Sequence, residues 1–223
     1  MIKKIKPSQF KAKTSQAKYF EERQNAKTIE KNSCGFDIKI FKTVYKASTD
    51  TELMAQTVKI LPSQTFLEIG CGCGVISIML AQKAKSGMGV DINKMAVKNS
   101  QANAKRYQIK NLKFLQSDLF EKVKGKFNVI VCNPPYSPYQ AKNDTGKMFW
   151  DFNNKMKKRF FAEVGDYLNK NGTIFFGWAD FADIDLNLPF ELTKKYGFKI
   201  VEIKKKKSNH RNYNLFVFKI IKK

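Results

Sequence analysis

The apolar positions of this chain follow two alternating rhythms. Short, nearly continuous apolar runs at 65–69, 87–91, 112–115, 127–132 and 172–177 read as buried strands, and stretches of helical period separate them. The spacing predicts helices over 74–83 and 93–107, the second with the small residues Ala96, Ser100 and Ala104 on one face. Ahead of the strand at 172, Met156, Phe160, Val164 and Leu168 recur at i, i+4, i+8 and i+12, one buried stripe opposite a basic face. Strand alternating with helix predicts an α/β fold, a doubly wound parallel sheet covered on both sides. Two further β-rich runs, 198–203 and 213–220, are joined by a basic segment too short for a crossover helix. They are expected to pair as an antiparallel hairpin at or near the edge, which makes the sheet seven-stranded and mostly parallel.

Residues 1–33 break the rhythm. They hold nine basic residues against Glu21, Glu22 and Glu30 and few large apolar groups, and they read as a basic extension, with the main domain over 34–223. The pattern allows either a surface helix over 17–29 or a flexible segment. No apolar run approaches the roughly 18 residues needed to span a bilayer, and Met1 leads into Pro7 without an apolar signal core. The four cysteines show no disulfide framework, and Cys71-Gly72-Cys73 is too tight for a zinc knuckle, so neither membrane nor metal is expected and a reducing, cytoplasmic setting fits.

The candidate chemistry lies where strands end. The first strand carries Glu68 and runs into Gly70-Cys71-Gly72-Cys73-Gly74, a turn whose glycines let the backbone approach a ligand while the next helix offers free N–H groups. Val75 stands where a dinucleotide fingerprint needs its third glycine, which argues against NAD or FAD. Asp91 ends the second strand, with Ile92 beside it, placed to accept from a ribose diol or to cap the following helix. Asp118, followed by Leu119, is a third polar group at this end of the sheet and is equally readable as a helix cap. The fourth strand ends in Asn133-Pro134-Pro135-Tyr136. Two prolines stiffen this turn and leave carbonyl acceptors, the Asn amide adds another, and Tyr136 offers a ring to stack on a planar group bearing an amino nitrogen.

These motifs, in this order, resemble the class I S-adenosylmethionine-dependent methyltransferases, with their Rossmann-like fold, and within them the Asn-Pro-Pro-Tyr subgroup. That subgroup includes the HemK-type release-factor glutamine methyltransferases and enzymes acting on exocyclic amines of nucleobases. The resemblance implies S-adenosylmethionine as cofactor, its methionyl part among Glu68, Gly70, Cys71, Gly72 and Gly74, its ribose at Asp91 and Ile92, and its adenine at Asp118 and Leu119. It places the target nitrogen at Asn133, Pro134, Pro135 and Tyr136. Residues 48–53 are similar to a segment of the glutamine enzymes at Thr51, Glu52 and Leu53 but lack its prolines and Arg, so Thr51 alone carries over as a cofactor contact. The implied chemistry is in-line methyl transfer in which the Asn133 and Pro134 oxygens draw on the N–H bonds. No histidine is needed, and the single one, His210, reads as a solvated loop residue.

Charge bears on the substrate. Lys and Arg number 42 against 19 Asp and Glu, a formal net charge of +23, and eleven of the basic residues lie in 194–223 against Glu202. This favours RNA or a ribosomal particle as partner and a nucleobase amine as target. A protein glutamine on a release factor is the alternative, weakened because the first predicted strand begins already at Thr65, where those enzymes carry a helical domain. A non-catalytic assembly factor is the second alternative. Residues 137–148, followed by Phe149 and Trp150, are the candidate substrate lid.

Overall fold

A computed structural model describes residues 5–142, 146–209 and 211–223, and of Arg23 the backbone only. The chain begins with helix α1 (Ala12–Asn25) and a hairpin of β1 (Ile29–Ser33) and β2 (Phe36–Ile40). Cys34 and Gly35 join these strands with φ of 53° and 85°, the left-handed pair that matches the twist of a two-residue hairpin. The boundary expected after residue 33 falls at this turn. Two asparagines of α4 (Lys94–Arg106) fasten the hairpin to the main body. Asn99 Oδ1 accepts from Phe41 N at 2.8 Å, Asn103 Oδ1 accepts from Lys39 N at 3.0 Å, and both Nδ2 groups donate to Lys39 O.

The main body follows the expected alternation: α2 (Thr49–Thr57), β3 (Thr65–Ile69), α3 (Val75–Ala81), β4 (Ser86–Asp91), α4, β5 (Leu112–Gln116), β6 (Phe127–Cys132), α5 (Lys155–Glu163), β7 (Leu168–Ala179), α6 (Leu188–Lys195), β8 (Phe198–Lys207) and β9 (Asn214–Lys222). The sheet order is β5-β4-β3-β6-β7-β9-β8, with β9 antiparallel to both neighbours and the rest parallel. This is the doubly wound, Rossmann-like sheet with a C-terminal hairpin. Phe66, Leu67, Ile130, Val131 and Phe176 are almost wholly buried, because helices cover both faces of the central strands.

Three expectations are corrected. The fifth long strand spans 168–179 rather than 172–177, and Leu168, assigned to the helical stripe, opens it. The lysines at 204–207 continue β8 instead of forming a loop; their partners in β9 run from Val217, opposite Lys204, to Asn214, opposite Lys207, so the ladder extends them. Helix α1 lies at 12–25 rather than 17–29. His210 lies outside the described residues, as do 143–145 of the expected lid.

Candidate active site

The strand order turns outward in opposite directions from β3, to β4 on one side and β6 on the other. At such a switch point the carboxyl ends of the strands splay and leave a crevice. Here it is a cavity of about 900 Å³ lined by Gly70 to Cys73 of the glycine turn, Asp91, Asp118 and Asn133 to Tyr136, together with Thr51, Glu68, Ile92 and Leu119. Of the expected site residues only Gly74 is not in this lining; it packs against Ser100 of α4.

The glycine turn is built by positive φ at Gly70 (76°), Gly72 (53°) and Gly74 (82°), a conformation costly to residues with a Cβ. A Cβ on Gly74 would lie 2.9 Å from Ser100 Cβ, so α4 packs directly on the turn, and Ser100 Oγ donates to Gly72 O at 2.9 Å. A Cβ on Gly70 or Gly72 would meet nothing within 4 Å. Open space therefore lies against this backbone.

Asp91 is engaged by two backbone N–H groups, Gly72 to Oδ2 at 3.0 Å and Asn93 to Oδ1 at 2.8 Å. The cap of α4 is Asn93, whose side chain accepts from Met95 N, so Asp91 joins the glycine turn to β4 instead. Burial pushes its carboxyl above the ordinary value and the two N–H groups oppose that. Beneath the turn, Glu68 is 3% exposed and hydrogen-bonded by Ser77 Oγ; burial lifts its carboxyl to about 8. Asp118 Oδ2 accepts from Arg159 Nη1 at 2.9 Å, a guanidinium that also meets Glu121 and Glu163. Thr51 Oγ1 accepts from Ser48 N at 3.3 Å in the first turn of α2.

At the acceptor turn, Asn133 Oδ1 accepts from Tyr136 Oη at 2.6 Å and Asn133 Nδ2 donates to Asp50 Oδ2 at 2.7 Å. A carboxylate only accepts, so Asp50 fixes which end of the Asn133 amide faces which way. Asp50, 7% exposed, also receives Ser48 Oγ at 2.7 Å and Tyr45 Oη at 3.2 Å. The sequence reading passed over it. Its only local signal is a place beside Thr51, and its partner Asn133 is 83 positions away. The Tyr136 ring lines the cavity but is mostly buried, edge-on to Trp178 and Phe181 at 6.0 and 5.9 Å. Gly177 on β7 was missed as well: a Cβ there would stand 2.3 Å from Asn133 Oδ1. Over the acceptor side, Phe10 packs on Phe181 and Tyr213, Tyr19 on Tyr45 and Phe149, and Phe20 on Trp150. The N-terminal segment, read as an extension, is therefore a wall of the site. Among the described residues, no cluster of His, Cys, Asp or Glu is placed to hold a metal and no helix is long and apolar enough to cross a membrane.

Sheet order, glycine turn and the acids that follow it define a class I S-adenosylmethionine-dependent methyltransferase. Residues 44–207 match the methyltransferase small domain, and the chain belongs to that family. Over 148 residues it is 38% identical to a chain named as a protein N5-glutamine methyltransferase of Methanocaldococcus jannaschii, covering 63% of this chain and 74% of that one. Over 143 residues it is 31% identical to the release factor glutamine methyltransferase of Fusobacterium nucleatum, covering 60% of this chain but 40% of that enzyme's length. The fold is shared with Trm5 of Methanocaldococcus jannaschii in complex with adenosine, at a TM-score of 0.67 and 17% identity over 89% of this chain and 56% of that one.

Proposed function

We propose that this enzyme transfers the methyl group of S-adenosylmethionine to the amide nitrogen of a glutamine side chain in a protein, with a release factor as the first substrate to test. The relatives named for glutamine support the choice of substrate, and the fixed amide of Asn133 supports transfer to an amino nitrogen. Held by Asp50 through Nδ2, it presents on the cavity wall an oxygen that Tyr136 occupies on one lone pair only, and a carbonyl-type oxygen has two. A carboxamide nitrogen brings two N–H bonds and a lone pair delocalised into its own carbonyl. Acceptance of those N–H bonds by Asn133 Oδ1 and the Pro134 carbonyl turns the nitrogen toward the methyl and enriches it in electron density.

When bound, the cofactor supplies a methyl group on a cationic sulfur. The glycine turn, Asp91 and Asp118 hold it in place, and the aromatic side chains of the N-terminal segment bound the acceptor side of the cavity. The alkylated nitrogen is acidic and yields its proton to water, so no side chain of this site serves as base.

A nucleobase amine, expected from the charge, offers the same pair of N–H bonds. Relatives at 38% and 31% identity that are named for glutamine support the carboxamide over it. The test supplies tritiated S-adenosylmethionine with full-length release factor in one reaction and total cellular RNA in another. Label is expected on a glutamine of the release factor and is expected to vanish with Asn133→Ala while cofactor affinity stays within a few-fold. Label confined to RNA overturns the reading.

A further inference from the structure

Lys157 is fully buried, and its ammonium serves no part of the chemistry described so far. Its Nζ lies 2.9 Å from Asp151 Oδ2, donates to the carbonyl of Pro135 at 2.7 Å, and stands 5.7 Å over the Trp178 ring. Trp178 in turn packs edge-on against Tyr136. The lysine therefore sits behind the acceptor turn, on the side away from the cavity, whose lining includes Asp151 but not Lys157.

A buried lysine is costly to keep charged, and a chain retains one when something depends on it. Two features of the turn supply the need. Pro134 and Pro135 have no N–H, so the turn cannot secure itself with donors of its own. Asn133 and Tyr136 hydrogen-bond to each other, and Asp50 holds the Asn133 end of the turn, which leaves the Pro135 end to another partner.

Asp151 links the same ammonium to the loop that follows. It accepts from Met156 N at 2.7 Å and Lys157 N at 3.1 Å, which starts α5, and its own N–H donates to Ser137 O at 2.9 Å. Ser137 and Trp150 form a bridge at the same point. Both ends of the 137–151 loop thus meet where Lys157 touches the acceptor turn. The pair is neutral as a whole, so it can hold the turn without opposing the positive charge that develops on the methylated nitrogen.

We propose that Lys157 is a positioning residue of the methyl-transfer site: with Asp151 it pins the Pro135 carbonyl and fastens the Asn133 to Tyr136 turn to Ser137 and Trp150, the two ends of the loop that follows. This rests on the acceptor role given to Asn133 above. The test compares the full chain, Lys157→Met, and Lys157→Met combined with Asp151→Asn, which leaves no lone charge buried and keeps an oxygen for the α5 amides. Methyl transfer is measured at saturating cofactor into whichever fraction of a cell extract, protein or RNA, the unaltered enzyme labels. S-adenosylhomocysteine affinity, melting temperature and the Asn133 side-chain amide signals in ¹⁵N spectra are followed in parallel.

The single variant is expected to lose melting temperature and transfer rate together. The double variant is expected to regain the melting temperature while its rate stays lower by about 10²-fold, the cost of a misplacement near 1 Å. Its S-adenosylhomocysteine affinity should hold within about threefold, and its Asn133 amide signals should shift or broaden while those of Asn99 and Asn103 do not. Recovery of the rate along with the melting temperature, or an unchanged Asn133 amide, overturns the proposal by reducing the pair to a support of stability. Label in RNA with the expected ranking of variants would instead remove the glutamine reading and leave this one standing.

Discussion

Gly177 has no chemistry of its own, yet it decides where Asn133 can stand. A Cβ at 2.3 Å from Asn133 Oδ1 cannot be accommodated without movement, and 3.3 Å to Tyr136 Oη leaves little room on the other side. Gly177→Ala is therefore expected to displace the amide and lower kcat by about 10²-fold. S-adenosylhomocysteine should bind as before, because the cofactor residues lie on other strands. A kcat within twofold of the parent, measured with tritiated cofactor, would show that the Asn133 position is not critical. Glu68 permits a second test at this scale. Its folded carboxyl titrates near 8 against an ordinary 4.5, so between those values the unfolded chain has released a proton that the folded chain still holds. Stability must fall as pH rises through that window, by an amount of the order of a few kcal/mol. Glu68→Gln, which keeps an acceptor for Ser77, should flatten the decline when urea unfolding is compared at pH 5.5 and 8.5, and parallel slopes would refute the assignment. The residues of the glycine turn, Asp91, Asp118 and the Asn133 turn were legible in the sequence because each ends a predicted strand. Asp50 and Gly177 were not, since each acts on Asn133 from an element that only the fold brings near.

At the scale of elements, β3, β4, β5 and β6 lie within a residue or so of their expected positions; for the central β3 and β6 the reason is that continuous apolar runs are what a buried parallel strand requires, whereas β5, at the edge, has no buried residue. Periodicity failed where it outran its element. The stripe from Met156 to Leu168 continues in sequence, but α5 ends at Glu163 and a 3-10 turn over Val164–Asp166 carries the chain into β7. Lysines 204–207 form a strand because β9 supplies the ladder, and on the outermost strand of the sheet their charge discourages a further partner. Helix α1 has the least local signal of all. Its start is made by Asp183, whose Oδ1 and Oδ2 accept from Ala12 N at 3.0 Å and Lys13 N at 3.1 Å, from 171 and 170 residues away. Asp183→Ala removes this cap and the bond from Tyr139 Oη at 2.9 Å. The expected cost is about 1 kcal/mol, confined to α1. Hydrogen exchange should quicken in the amides of 12–25 while those of β3 and β6 keep their protection; uniform loss across the sheet would mean that α1 is part of the global folding unit instead.

For the whole molecule, the net charge of +23 understates what faces water. Asp50, Glu68, Asp151 and Asp180 are buried, whereas Lys157 is the one buried lysine among the described residues. Arg159 draws Asp118, Glu121 and Glu163 to itself, and Asp183 is taken up by α1 and Tyr139. Four of the acids are thus withdrawn from the surface against one lysine, which leaves the exterior still more positive than the formal charge. The surface acids, such as Glu30 and Glu202 in their ion pairs, are outnumbered by lysines that repel one another. Such repulsion opposes the compact state and is screened over about 10 Å at 0.1 M salt. Melting temperature should therefore climb as sodium chloride is raised from about 20 to about 500 mM, at about 2–4 °C for each kcal/mol of repulsion relieved. Potassium fluoride at matched ionic strength separates screening from anion binding: equal gains follow from screening alone, and a larger gain with chloride would mean that particular sites capture the anion. A melting temperature that does not respond to either salt would show that the lysines lie too far apart to repel, and the charge would then bear on partners and not on the fold.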